Sequence, residues 1–202
     1  MRTGRTYGIT TLTKRHVSVR GTRIRFQFRG KHRVLVRTTL VDAELADAIR
    51  ALLDLKGGAR LFRYERNGGG LANLTGPVLN EYIGENLDPD FTAKDFRTWG
   101  GTLTAAVALA EHGPPASQAE ERRVIAAVMR RVGEELGNTA AVARASYVSP
   151  AVIEQWRDGR TLELFRARGR RVVSGRDTEL LAEEAALLSL LRSWRIRRSL
   201  AA

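Results

Sequence analysis

Four short stretches carry residues whose types could do chemistry together. Tyr147, between Ser146 and Val148, lies nine residues after Asn138 in Leu136-Gly137-Asn138-Thr139. Upstream are Phe28-Arg29-Gly30-Lys31 and Phe91-Thr92-Ala93-Lys94-Asp95-Phe96-Arg97-Thr98-Trp99. A phenol has a pKa of about 10 and is a weak nucleophile at pH 7. It becomes useful where a cationic site favours its oxyanion and binds the extra charge of a five-coordinate phosphorus transition state. A guanidinium such as that of Arg97 can donate two parallel hydrogen bonds to phosphate oxygens and stays charged. Lys94, three residues earlier, shares its helix face. The amide of Asn138 can donate to a phosphate oxygen but carries no charge. Each residue alone has an ordinary explanation: a tyrosine with its hydroxyl tied off, a surface arginine, a solvated turn lysine, a turn asparagine beside Gly137.

Other chemistries find no support in the pattern. His16, His32 and His112 have no partners at metal-ligand spacing, and no His-Glu-x-x-His occurs. The run Gly68-Gly69-Gly70 is not followed by Lys-Ser/Thr, so it is not a phosphate-binding loop. No Ser-His-Asp constellation is suggested.

The elements that must hold these residues read as strands first and helices after. Residues 7–12, 16–19, 23–28 and 33–37 are short, rich in β-branched and aromatic side chains, and separated by turn residues. In Arg23-Ile24-Arg25-Phe26-Gln27-Phe28 the alternation turns Ile24, Phe26 and Phe28 inward and Arg23 and Arg25 outward. From Asp42 the period becomes helical, with Leu45, Ile49, Leu52 and Leu53 on one face up to Gly57-Gly58. The triple glycine reads as a flexible loop. Further helices are expected over 75–87, from Thr92 to before Gly113, from Ser117 to Gly137, over 139–147, from Ser149-Pro150, and from about Asp177. A basic linker, 166–171, precedes the last. A three- or four-stranded sheet followed by some seven helices predicts an α+β fold. The expected division is a basic β-sheet region (1–41), a helical body (42–160), and a linker with a final helix (161–202).

The chain has 202 residues, 43% of them hydrophobic, which suffices for a buried core. It has no cysteine, so disulfide scaffolds and thiolate metal sites are excluded, in keeping with a reducing cytoplasm. No apolar run approaches the ~20 residues needed to cross a bilayer, and the start is no signal peptide. The formal charge is +12, and residues 1–41 contain eleven Lys or Arg and no Asp or Glu. Such a surface attracts polyanions, nucleic acid above all.

Together, and in this order, Tyr7-Gly8-Ile9-Thr10-Thr11-Leu12, the Arg29-Gly30-Lys31 turn, Lys94-Asp95-Phe96-Arg97-Thr98-Trp99, and the Leu136-Gly137-Asn138-Thr139 to Ser146-Tyr147-Val148 pair resemble the bacterial and poxvirus-type type IB DNA topoisomerases. The resemblance covers roughly residues 5–160. It implies a small sheet packed with a helical body, and a monomer that acts on double-stranded DNA near the nucleoid. The implied activity is relaxation of supercoils through a 3′-phosphotyrosyl intermediate, with neither ATP nor metal as cofactor. It makes Tyr147 the nucleophile, Arg97 and Asn138 phosphate ligands, and Lys31 the general acid. Many relatives carry histidine in place of Asn138. A further catalytic arginine falls at Arg2, in Arg2-Thr3-Gly4, with Arg5 the other candidate. Lys94, His16, Arg23 and Arg25 become DNA contacts. No counterpart of the family's amino-terminal clamping domain precedes these motifs. A binding-only remnant of the family is therefore the first alternative. The second is a tyrosine recombinase, a class that usually carries His-x-x-Arg shortly before its tyrosine; residues 126–131 contain no histidine.

Overall fold

The computed structural model describes residues 6–166 and 182–200, and the side chain of His32 lies outside that description. Arg2 and Arg5, most of the basic linker and the expected helix start at Asp177 fall outside the described residues. The chain divides into two compact units, residues 1–93 and 94–202.

The first unit is built on a three-stranded antiparallel sheet, β1 (Val17–Arg20), β2 (Arg23–Arg29) and β3 (Leu35–Val41), with β2 in the centre. Val17 faces Phe26 across β1 and β2, and Ile24 faces Leu40 across β2 and β3. The alternation along β2 holds as expected: Ile24 is fully buried, Phe26 and Phe28 pack against the core, and Arg23 and Arg25 are exposed. Asp42, the first acidic residue of the chain, caps α1 (Ala43–Asp54) by accepting from the Leu45 N–H at 2.9 Å. Ala46 and Ile49 of α1 close the core over Leu12, Val17, Ile24 and Leu61. Lys14 reaches the far end of α1, where its ammonium donates to the Leu53 carbonyl at 2.6 Å and to that of Leu55. The hairpin β4 (Arg63–Glu65) and β5 (Leu71–Asn73), then α2 (Gly76–Asn86), complete the unit.

Two expectations change here. Residues 7–12 are not a strand, because Ile9–Thr11 winds into a 3-10 turn in which Thr11 Oγ1 accepts from the Gly8 N–H at 2.8 Å. A side-chain acceptor competes with ladder pairing wherever threonine follows glycine at this spacing. The triple glycine is not an unstructured loop but the turn of the β4–β5 hairpin, with Gly69 and Gly70 at φ of +83° and +85°. The expected boundary at residue 41 falls inside this first unit, to whose core α1 contributes Ala46 and Ile49.

The second unit is helical: α3 (Ala93–His112, which begins at the boundary), α4 (Gln118–Leu136), α5 (Ala140–Ser146), α6 (Pro150–Arg157) and α7 (Ala182–Leu200). Its core combines alanines of α3 with Val124, Val128 and Val132 of α4, Trp156 of α6, Phe165, and Leu187 and Leu190 of α7. Polar bonds pin α7 to α6: Gln155 donates to the Leu190 carbonyl at 2.9 Å, and Trp194 donates to Glu154 at 2.7 Å. No described helix is long and apolar enough to cross a membrane.

His16 sits at the start of β1, only 9% exposed. Its Nδ1 accepts from the Thr13 N–H at 3.1 Å, and its ring meets Tyr7 edge-on with centroids 4.3 Å apart. Burial, and then the neighbouring Arg15 charge, lower its pKa from the ordinary 6.5. The unfolded chain therefore binds the proton more readily than the folded one. The stability contributed by neutral His16 is fully present above pH 6.5 and is lost as pH falls through the lowered folded value. The melting temperature is expected to drop as the pH falls below 6.5, and His16→Asn should flatten that dependence. A His16→Asn chain that keeps the full pH dependence would remove His16 as its source.

Candidate active site

Helix α4 ends in a reversal that sets up everything near Tyr147. Gly137 adopts a left-handed conformation, φ +66° and ψ +40°. Its N–H bonds to the Glu134 carbonyl at 3.2 Å, and the Asn138 N–H bonds to the Gly133 carbonyl at 2.6 Å. That pair is a Schellman closure, and it requires a residue tolerant of positive φ at 137. Thr139 then caps α5 by accepting from the Val142 N–H at 3.3 Å. After seven helical residues α5 ends at its C-cap, Tyr147, whose N–H still bonds to the Ala143 carbonyl at 3.0 Å.

The reversal leaves the Leu136 carbonyl pointing at two side chains. Arg97 Nη2 donates to it at 2.7 Å, and Asn138 Nδ2 donates to it at 3.1 Å. One acceptor thus fixes both expected phosphate ligands side by side. Neither is exhausted: a guanidinium has five N–H groups and a carboxamide two. The Arg97 guanidinium carbon lies 5.1 Å from the centroid of the Tyr147 ring, within range of a cation–π attraction. Tyr147 is half-buried, and its hydroxyl has no hydrogen-bond partner among the described residues. The ordinary fate of a structural tyrosine, a hydroxyl tied to the protein, is therefore not met here.

Two residues missed by the sequence reading hold the backbone of Tyr147. Thr102, 3% exposed on α3, accepts from the Ser149 N–H at 3.1 Å and donates to the Tyr147 carbonyl at 3.4 Å. Gly101 lets α3 approach closely: a Cβ there would lie 2.7 Å from the Tyr147 carbonyl oxygen and 3.2 Å from the Tyr147 Cβ. The available signal was Gly100-Gly101 inside a helix, which costs roughly 1 kcal/mol per glycine relative to alanine and so marks a close contact.

The remaining candidates divide by unit. Lys94 is exposed one turn before Arg97 on α3. Lys31, His16, Arg23 and Arg25 belong to the first unit. Lys31 begins the 3-10 turn Lys31–Arg33 between β2 and β3, exposed and with no hydrogen bond or ion pair among the described residues. That turn is closed by the Gly30 N–H on the Val34 carbonyl at 2.8 Å, and Arg33 takes a left-handed φ of +64°. Arg25 and Gln27 line a shallow depression of about 340 Å³ with Arg15 and Ser18, and His16 forms part of its wall. Buried and bonded to Thr13, His16 braces this face from beneath. Among the described residues no three His, Asp or Glu side chains gather closely enough to hold a metal ion.

Gly101→Ala forces either α3 or the Tyr147 backbone to move. Overpacking of this kind destabilises by about 1–3 kcal/mol, read as a lower unfolding midpoint. Thr102→Val keeps the shape and removes the hydroxyl, leaving the half-buried Ser149 N–H without its acceptor, a loss of about 1–3 kcal/mol at most. Thr102→Ser should restore most of it. Equal stability of Thr102→Val and the parent would show that the hydroxyl does not hold this backbone.

Residues 1–161 match the family described as eukaryotic DNA topoisomerase I, catalytic core. The chain is also 31% identical over 164 residues to a protein named DNA topoisomerase 1B from Acanthamoeba polyphaga mimivirus. That alignment covers 78% of this chain and 48% of the viral protein, so the chain spans about half the length of this relative. The Arg97, Asn138 and Tyr147 cluster falls inside the matched region, and the chain belongs to the DNA topoisomerase I family.

Proposed function

We propose that this chain carries out the strand transfer of a type IB DNA topoisomerase, with Tyr147 as the nucleophile. The observation that carries the reading is the cluster itself. A tyrosine hydroxyl with no hydrogen-bond partner among the described residues stands beside a guanidinium and a carboxamide that share one backbone anchor. Tyr147 Oη attacks a backbone phosphorus and loses its proton to solvent, and the bond from phosphorus to the 5′-oxygen breaks. The product is a 3′-phosphotyrosyl link and a free 5′-hydroxyl. Reversal by that hydroxyl reseals the strand, and no nucleotide is consumed because the ester bond energy is kept in the tyrosyl link. Free rotation between the two steps relaxes the duplex.

Arg97 and Asn138 donate their remaining N–H groups to the non-bridging oxygens, where charge accumulates in the transition state. Since both are already held by the Leu136 carbonyl, little reorganisation is needed when the phosphate arrives. Asn138 donates a hydrogen bond without charge, so Arg97 carries most of the electrostatic stabilisation at this end of the site. Lys31 gives the 5′-oxygen its proton; that it has no hydrogen bond or ion pair among the described residues suits a group that must reach a ligand. The exposed arginines of β2 and Lys94 bind the DNA backbone, a contact that is salt-dependent and indifferent to sequence.

The decisive experiment is relaxation of a supercoiled plasmid in EDTA without ATP, with trapping of denaturation-stable protein–DNA adducts. The expected result is relaxation together with a 3′-linked adduct. Tyr147→Phe should abolish the adduct and leave DNA affinity nearly unchanged; an adduct that persists would sink the assignment. Lys31→Ala should slow cleavage by roughly 10²–10⁴-fold with little loss of binding. DNA binding by the parent with neither adduct nor relaxation would identify a binding-only chain.

A further inference from the structure

Between α4 and α5 lies a second concavity, lined by none of Arg97, Asn138 and Tyr147, that the proposed strand transfer does not use. It is a groove of about 740 Å³. Its floor is apolar: Ile125, Ala126 and Met129 from α4, and Ala140 and Ala141 from α5. Its rim is cationic, formed by Arg122, Arg130, Arg144 and Arg157 with Glu121 as the lone acid. Glu121 is already paired with Arg157 at 2.7 Å. Arg122, Arg130 and Arg144 are exposed and make no hydrogen bond or ion pair among the described residues. Beyond Arg144 and Arg157 the depression continues over Val148, Pro150 and Ile153 for about another 280 Å³.

We infer that this groove is a docking site for an acidic amphipathic helix of a partner protein. The trough between two helices suits a third helix. From Arg122 to Arg130 α4 rises about 12 Å, two helical turns, the span covered by anchors at i, i+3, i+4 and i+7. Strand addition is excluded by the walls, since helical backbones offer no free ladder edge. A DNA backbone would satisfy the arginines yet leave the apolar floor in water, so the two features together select an amphipathic anion. Charge complementarity also selects against this chain's own segments. Residues 167–181 hold four arginines against one aspartate and one glutamate, and a second copy brings a charge of +12. Like charges facing the rim oppose either occupant.

The test uses the whole chain and a fluorescein-labelled peptide with leucines at i, i+3, i+4 and i+7 and glutamates on both flanks, read by anisotropy. Binding is expected, at least tenfold tighter than for a scrambled peptide of the same composition, and weaker as salt rises. Ala126→Trp fills the groove from an exposed position and should cut affinity at least tenfold, with the melting temperature unchanged. Arg122→Glu with Arg130→Glu should do the same, and a peptide with lysines in place of its glutamates should recover binding to that variant. Equal binding of the scrambled peptide, or no binding of either, overturns the inference. So does a loss of duplex DNA affinity in Ala126→Trp with the peptide unaffected, which would assign the face to DNA.

Discussion

Much of the second unit's chemistry hangs on one backbone oxygen. The Leu136 carbonyl is among the last of helix α4, where no further turn exists to take its lone pairs. Two side chains take them instead, and both are candidates to hold a phosphate. An unsatisfied helix end is thereby turned into a template. It is aimed by the left-handed Gly137, which ends α4 and starts the chain back towards α5. A side chain at 137 would strain that reversal and swing the oxygen, so the template depends on a residue with no chemistry of its own.

The same economy governs Tyr147. Its ring faces the Arg97 guanidinium, and its hydroxyl has no hydrogen-bond partner among the described residues. Its place is set through its main chain, by Thr102 and by the close passage of α3 at Gly101. Gly133 plays the matching part on α4, where a Cβ would fall 2.8 Å from the Asn138 carbonyl oxygen. The side chain is left free for a substrate because the positioning has been shifted to the backbone.

How much of this was legible beforehand follows from what each feature depends on. Helices α1, α4 and α5 could be read from caps and periodicity, since Asp42, Ser117 and Thr139 act locally. The face alternation of β2 was readable for the same reason. The turn at 9–11 was not, because the Thr11 hydroxyl bonds the Gly8 backbone in preference to strand pairing. The β4–β5 hairpin was hidden by strands of only three residues each around three glycines. At the site, Arg97, Asn138 and Tyr147 were singled out by the resemblance of the strings that carry them, since each alone has an ordinary explanation. Thr102 and the Leu136 carbonyl were not, because their roles exist only once α3 lies against the end of α4. Lys31 was legible as a turn residue, and the turn at 31–33 bears that out.

Close helix crossings at Gly101 and Gly133 also bear on how such a sequence can change over generations. If Tyr147 were wedged by bulky neighbours, each substitution in the surrounding core would shift it, and the lineage would be held to a narrow set of side chains. Here the restraint is carried by two missing methyl groups and one hydroxyl. The aliphatic residues around them are free to exchange for others of similar volume, as cores generally permit. Distant descendants could then share few residues overall and still hold the Tyr147 hydroxyl in the same place.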